Sequence, residues 1–204
     1  MDTQMSGGDR LRLVILIGSV RDCRFGPPAA EWLASVSRLR RGFDIDVIDL
    51  TTAWLPDMMS TAPSAGRPQA VRDLAPWLAA ADAFVIVTPE YKRGFPGPLK
   101  SVIDWYDEEW RAKPVAFLSY GEASSGLCAV AQLRQVFAEA HAVTVSETVS
   151  FHQYLARLEA GSLPFDDEAA REAARLMLDR LGWWARALRR ARSLEPYAPG
   201  EHHH

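Results

Sequence analysis

The stretch that decides the fold is LRLVILIGSVRDCRFG, residues 11–26. Its apolar run, Leu13–Ile17, has the composition of a buried strand and stops abruptly at Gly18. A polar loop follows, and Gly26-Pro27-Pro28 then opens a helix-like segment. A strand, a short loop and a helix N-terminus in succession predict an anion site, because the first amides of a helix have no partner inside it.

The side chains of this loop suit a phosphate group. Ser19 supplies a hydroxyl donor, and Arg21 and Arg24 supply guanidinium groups. The loop is not GxGxxG, since Val20 takes the second glycine's place, and no Gly-Lys-Ser/Thr follows it. A phosphatase Cys-x5-Arg loop is excluded because Ala29 stands where its arginine belongs. The remaining pattern, GSxRxxRxG, predicts a mononucleotide phosphate site, with a solvated turn bearing two surface arginines as the alternative.

Strand-like and helix-like segments alternate along the chain. The predicted strands cover 11–18, 43–50, 83–88, 114–120 and 142–149, and the predicted helices cover 27–41, 69–80, 99–110, 127–140 and, after Asp166-Asp167, up to about 193. A long loop is expected over 51–68. This alternation predicts an α/β fold, a doubly wound five-stranded parallel sheet with helices on both faces, in the flavodoxin-like order 2-1-3-4-5.

Composition restricts the protein class and the organisation of the chain. The 204 residues are 48% hydrophobic, which predicts one globular domain over 11–193, with loose tails over 1–10 and 194–204. His202-His203-His204 has the composition of a purification tag. A formal net charge of −3 argues against nucleic-acid binding, and no apolar run could span a bilayer. Two cysteines, Cys23 and Cys128, are too few for a disulfide framework, so a cytoplasmic protein is expected.

The predicted strand order brings three loops together at the carboxyl edge of the sheet, over residues 18–26, 89–97 and 119–126. The second loop carries aromatic residues, prolines and glycines, so a flat ring system could lie against it. Alternatively, Tyr91 and Phe95 cap the core. The third loop is small and polar, and its amides could bind the edge of a ligand.

Together the three loops resemble the NADPH-dependent FMN reductase family. The family patterns GSxRxxRxG, PEYNxSxPGxLKNAIDW and SxGxxGG correspond to GSVRDCRFG, PEYKRGFPGPLKSVIDW and SYGEASSG, and the similarity extends over about 11–152. The chain departs from these patterns at Lys92, Gly94 and Ser125.

The resemblance implies FMN as cofactor and NADPH or NADH as hydride donor, with no catalytic side chain and no metal. It implies that Ser19, Arg21 and Arg24 hold the FMN phosphate, assisted by the main chain of Phe25 and Gly26. Along the isoalloxazine and ribityl chain it places Pro89, Glu90, Tyr91 and Lys92. At the pyrimidine edge it places Ser119, Tyr120 and Gly121.

The implied activity is electron transfer from NAD(P)H through FMN to a flavin, a quinone or a related small acceptor. The alternatives are a flavodoxin-like electron carrier without NAD(P)H activity and a dedicated reductase for a flavin-dependent monooxygenase. A homodimer or homotetramer is expected, formed through the helix ending at Asp104-Trp105-Tyr106 and the tryptophan-rich C-terminal helix. Lys92 and Arg93 either bind the nucleotide or an anionic substrate, or form a solvated basic turn.

Overall fold

The computed structural model describes residues 10–22, 24–40, 42–53, 55–56, 66–152, 154, 165 and 167–198. Five strands form one parallel sheet in the order β2-β1-β3-β4-β5, namely β1 (Leu11–Ile17), β2 (Phe43–Asp49), β3 (Ala83–Pro89), β4 (Pro114–Gly121) and β5 (Val143–His152). The helices in these ranges are α1 (Gly26–Leu39), α2 (Leu50–Ala53), α3 (Gln69–Ala80), α4 (Gly97–Trp105), α5 (Leu127–Glu139) and α6 (Glu168–Leu194). The predicted fold and strand order are confirmed.

Two hydrophobic cores explain why the central strands are apolar on both sides. Leu13 and Ile15 of β1 face one core, which α1 and α6 cover. Val14 and Leu16 face the other core, which α3, α4 and α5 cover. Successive side chains of a strand point to opposite faces, so a strand between two helical layers reads as a continuous apolar run. Because the strand side chains are used in the two cores, polar groups for a site must come from the loops at the strand ends.

The fourth helix ends earlier than the sequence predicts, at Trp105 instead of residue 110. Tyr106 is extended (φ −124°, ψ 137°), and its hydroxyl donates to the carbonyl of Val71 at 3.0 Å. Trp110 is fully buried and donates to the carbonyl of Ile103 at 3.2 Å. These tertiary contacts outweigh local helix propensity. Because Tyr106 and Trp110 lie in the chain's own core, neither contributes to the apolar dimer surface that the sequence predicts there.

Other boundaries differ less. The segment predicted as a loop over 51–68 begins inside α2, and β5 continues to His152, beyond the predicted end at residue 149. The loop residues Trp54, Met58 and Met59, which the sequence suggests could cover a neighbouring subunit's flavin, lie outside the described residues, as do Cys23, Asp166 and most of both predicted tails. Among the helices that the structure describes, none is both long and apolar enough to cross a membrane.

Lys113 is a buried cation that makes stability depend on pH. It is 5% exposed, and its Nζ donates to the carbonyls of Leu78 and Ala79 at 2.9 and 2.8 Å, at the end of α3. Burial, assisted by the charge of Arg192, lowers its pKa from 10.5 to about 8. Between these two pH values the unfolded chain keeps the proton that the folded protein has lost, so stability should rise with pH.

We therefore expect wild-type stability to increase between about pH 8 and 10.5 relative to Lys113→Met, by up to roughly 3 kcal/mol. Urea unfolding of both proteins at several pH values measures this difference. The variant is the control for every other titrating group. Parallel pH profiles would show that burial does not perturb Lys113.

Candidate functional site at the carboxyl edge of the sheet

The three predicted loops meet where β1, β3 and β4 end. The amide of Gly18 donates to the carbonyl of Val87 at 2.9 Å, and the amide of Glu90 donates to the carbonyl of Tyr120 at 2.9 Å. The Arg21 guanidinium lies 3.7 Å above the centre of the Tyr91 ring. Neighbouring parallel strands end at the same edge, so the loops that follow them share one site.

Two buried hydroxyl groups lie together at the first loop. Ser19 is fully buried and Tyr120 is 1% exposed, and neither hydroxyl makes a well-formed hydrogen bond to another described residue. Both face Gly26, where a Cβ atom would lie 2.5 Å from Ser19 Oγ and 3.2 Å from Tyr120 Oη. Burial raises the pKa of Tyr120, although the neighbouring Ser19 hydroxyl lowers it in part. A buried hydroxyl without a partner is costly, so these groups favour a polar ligand.

The start of α1 offers fewer amides than the sequence suggests. The helix begins at Gly26, no side chain caps it, and Pro27 and Pro28 follow immediately. Proline has no N–H, so of these three residues only Gly26 can donate to an anion. The partial positive charge of the helix end remains. Recognition of an anion here therefore depends strongly on the side chains of the loop.

Phe25 anchors the loop through its ring. It is 2% exposed and lies in an aromatic cluster with ring centroids 5.0 Å from Tyr120, 4.8 Å from Tyr154 and 5.2 Å from Phe165. Its side chain faces the core, which leaves its main chain for any contact with a ligand. The Tyr120 ring belongs to the same cluster. The Tyr120 hydroxyl therefore lies at the first loop, close to Gly26.

Arg24 has protein partners on three sides. Its Nη1 lies 2.6 Å from Asp49 Oδ1 and 2.9 Å from the carbonyl of Ser19, and its Nη2 donates to Thr51 Oγ1 at 2.9 Å. The hydrogen bond to Asp49 raises the pKa of Arg24. The structure thus ties Arg24 to the end of β2, whereas the Arg21 guanidinium is exposed above Tyr91.

Asp49, the last residue of β2, binds the first loop through Arg24. Its Oδ1 also accepts from the amide and the hydroxyl of Thr51, at 3.0 and 2.8 Å. Desolvation raises its pKa, but the hydrogen bonds from Arg24 and Thr51 outweigh that effect, so the pKa is lowered overall. Sequence reasoning missed Asp49. The predicted strand order 2-1-3-4-5 could have indicated Asp49, because it places the end of strand two beside the first loop.

The second and third loops are joined through Glu90. Its Oε2 accepts from the Ser124 hydroxyl and, at 3.1 Å, from the amide of Cys128 at the start of α5. A carboxylate there compensates the helix dipole. The carboxylate of Glu90 is therefore committed to the third loop, and its main chain borders the site. The buried Pro89, the last residue of β3, precedes it.

The third loop depends on close packing around Ser119 and two glycines. Ser119 Oγ lies 2.9 Å from the carbonyl of Ser125 and 3.0 Å from Ser150 Oγ, so its hydroxyl supports the loop from inside. Gly126 has φ +85°, and a Cβ atom there would lie 2.5 Å from Ser119 Cβ. At Gly121, a Cβ atom would lie 3.1 Å from the amide nitrogen of Gly126.

A cavity of about 750 Å³ lies on the other side of Asp49 from Arg24, between β2, α2 and α3. Three aspartates and no cation are among its lining residues, which are Ile45, Asp46, Val47, Ile48, Asp49, Thr52, Ala53, Gln69, Ala70, Asp73, Leu74 and Trp77. Asp46 and Asp49 are already paired with Arg12 and Arg24, so the described lining offers a phosphate no unpaired cation. The anion site is therefore assigned to the loops.

Comparison with known proteins agrees with this geometry. The family model described as NADPH-dependent FMN reductase matches residues 11–156. The NAD(P)H-dependent FMN reductase C4B3.06c of Schizosaccharomyces pombe is 37% identical over 61% of this chain and 64% of its own length. The 2-hydroxy-1,4-benzoquinone reductase of a Burkholderia species is 29% identical over 86% of this chain and 97% of its own length.

Among solved structures, the flavoenzyme NAD(P)H:acceptor oxidoreductase FerB of Paracoccus denitrificans superposes with a TM-score of 0.70. It is 23% identical and covers 87% of this chain and 98% of its own, which supports the fold. The family match extends from β1 past the end of β5 and includes all three loops. It confirms the resemblance and, with it, FMN and NAD(P)H as the expected cofactors. The chain belongs to the NADPH-dependent FMN reductase family.

Proposed function

We propose that the protein is an FMN-dependent NAD(P)H oxidoreductase that passes electrons to a flavin, a quinone or a related small acceptor. One observation in the structure supports this function independently of family membership. The buried Ser19 hydroxyl makes no well-formed hydrogen bond to another described residue and faces Gly26 at the start of α1, in the loop that carries Arg21. Such a hydroxyl, a free guanidinium and a helix dipole fit a phosphate monoester.

Ser19, Arg21 and the main chain at Phe25–Gly26 would hold the FMN phosphate. Arg24 would act mainly by shaping the loop, because its guanidinium already binds Asp49 and Thr51. The positive charge of Arg24 is largely balanced by Asp49, so the unpaired charge facing a phosphate would come from Arg21 and the helix end. This assignment gives the two arginines of the loop different tasks.

The other loops would border the isoalloxazine ring. Tyr91 contributes its side chain, and Pro89, Glu90, Lys92, Ser119 and Gly121 contribute mainly the main chain, since the Glu90 carboxylate and the Ser119 hydroxyl are used within the protein. Bound FMN would supply the redox chemistry, accepting a hydride and releasing electrons. The protein orients the ring and sets its electrostatic surroundings, so no side chain needs to act as acid or base.

The acceptor class is supported by the relative that aligns over 97% of its length, which is named a 2-hydroxy-1,4-benzoquinone reductase. A small planar acceptor would use the same open edge of the sheet as NAD(P)H. We propose a single FMN-binding domain over 11–193 and a cytoplasmic location, where NAD(P)H is available and where Cys128 stays unpaired.

We further propose a homodimer or homotetramer. Its support is the apolar surface of α6, where Trp183 is 58% exposed and Leu176 is 46% exposed. Sedimentation of the FMN-loaded protein measures the oligomeric state, and a monomer at micromolar concentration would contradict the proposal.

The activity is tested by loading the purified protein with FMN and adding NADPH or NADH without oxygen. We expect a yellow protein whose flavin absorbance is bleached within seconds and recovers when menadione is added. Failure to take up FMN would refute the proposal. Uptake of FMN without bleaching by either nucleotide would instead indicate an electron carrier.

A further inference from the structure

The loop after β3 contains a tight turn, Tyr91–Gly94, whose two central residues are uncommon in such turns. Tyr91 and Gly94 exchange two backbone hydrogen bonds, of 2.8 and 3.0 Å. Between them Lys92 and Arg93 both have positive φ, 50° and 65°. Positive φ at both central residues is the geometry of a type I′ turn, which prefers Asn-Gly. Residues with a Cβ atom are disfavoured at these two positions, because the Cβ atom comes too close to the following carbonyl oxygen.

The turn is nevertheless well supported by its neighbours. Gln132 of α5 donates from Nε2 to the carbonyl of Arg93 at 2.7 Å. On the other side, the Arg21 guanidinium of the first loop stacks on the ring of Tyr91. The turn therefore joins α5 and the phosphate loop. Strained residues that persist at a site edge point to a functional use for their side chains.

The charges of the turn are poorly compensated. Lys92 and Arg93 are exposed, and within the described part of the chain neither forms an ion pair with an acid. Arg93 Nη1 lies 3.7 Å from Cys128 Sγ, at the N-terminus of α5, where a helix dipole disfavours a cation. The nearby Glu90 carboxylate is committed to Ser124 and the Cys128 amide. Lys92 and Arg93 thus form a cationic rim beside the site.

We propose that the Lys92–Arg93 turn binds the 2′-phosphate of NADPH and makes the enzyme prefer NADPH to NADH. This inference rests on the proposed function. The 2′-phosphate is the sole chemical difference between the two nucleotides, and it carries a charge of about −1.5 to −2. A dianion would neutralise both cations and would supply acceptors for the donors of the turn. The site for the FMN phosphate, at Ser19 and the start of α1, is separate.

The test uses the FMN-loaded protein and the double variant Lys92→Asn with Arg93→Gly. This pair is the preferred sequence for a type I′ turn, so the turn should persist and the thermal midpoint should stay the same or rise. The probes are adenosine 2′,5′-bisphosphate and AMP, which differ by the 2′-phosphate. We expect the variant to bind the bisphosphate roughly tenfold or more weakly and to bind AMP as before. The KM ratio of NADPH to NADH should change by a similar factor.

A matched control is Arg186→Gln with Arg190→Gln, which removes two exposed cations from α6 and changes the net charge equally. It should leave bisphosphate binding unchanged. Equal bisphosphate affinity of the wild type and the turn variant would overturn the inference. So would a variant that loses only a sulfonated naphthoquinone acceptor and not the bisphosphate, since the anion recognised would then belong to the acceptor. Loss of FMN uptake or of reduction in the wild type would instead refute the proposed function.

Discussion

Ser19→Ala is expected to weaken FMN binding tenfold or more while leaving the apoprotein at least as stable. The hydroxyl is fully buried and has no partner of good geometry among the described residues. Removing it relieves a desolvation cost of about 1–3 kcal/mol in the apoprotein. In the complex, however, the variant loses a hydrogen bond to a charged phosphate, worth about 1.5–3 kcal/mol. Affinity and stability should therefore change in opposite directions.

Fluorescence titration of the apoprotein with FMN gives the affinity, and urea unfolding of the same apoprotein gives the stability. Ser37→Ala is the matched control, because Ser37 is equally buried but donates to the carbonyl of Leu33 at 2.8 Å within α1. That variant should bind FMN normally. Undiminished FMN affinity in Ser19→Ala would show that the hydroxyl does not contact the phosphate.

Gly126→Ala is expected to destabilise the protein by roughly 2 to 5 kcal/mol. The added Cβ would lie 2.5 Å from Ser119 Cβ and 2.7 Å from the backbone nitrogen of Tyr120, and a φ of +85° is unfavourable for alanine. Since Tyr120 is held inside the sheet, the third loop and the start of α5 must move instead. Denaturant unfolding measures the loss, and the variant should also bind FMN poorly.

Gly97→Ala provides the comparison. A Cβ atom at Gly97, the first residue of α4, would have no neighbour within 4 Å. Its stability should be unchanged or slightly higher, because alanine favours helices more than glycine does. Similar losses in the two variants would mean that close packing around Gly126 is not what limits the loop.

Local sequence patterns predicted most of the fold because strands between two helical layers are apolar throughout, and because glycine and proline mark the loops. The end of α4 could not be predicted in this way. Tyr106 and Trp110 leave the helix to reach Val71 and Ile103, and such partners are not visible in local periodicity. The same holds for β5, whose last residues pair with the end of β4.

The candidate site was predictable as a set of loops, and less so as a set of contacts. Arg21 and Tyr91 come together at the predicted edge, and Ser19 faces Gly26 in the same loop. Local sequence could not show that Arg24 binds within the protein while Arg21 stays exposed. The difference depends on Asp49, which is 25 residues away from Arg24 along the chain. Nor could local sequence show that the Tyr120 ring turns into the core beneath the first loop. These features depend on tertiary proximity, which local sequence patterns do not encode.

The edge strand β2 has a consequence for assembly. Its sequence, FDIDVID, carries charged side chains, with Asp44 beside Arg10 and Asp46 beside Arg12, and among the described strands it pairs with β1 alone. Charged side chains on an edge strand discourage the edge-to-edge addition that leads to aggregation. Copies of this chain that associate in solution are therefore expected to meet through helical surfaces and not through β2.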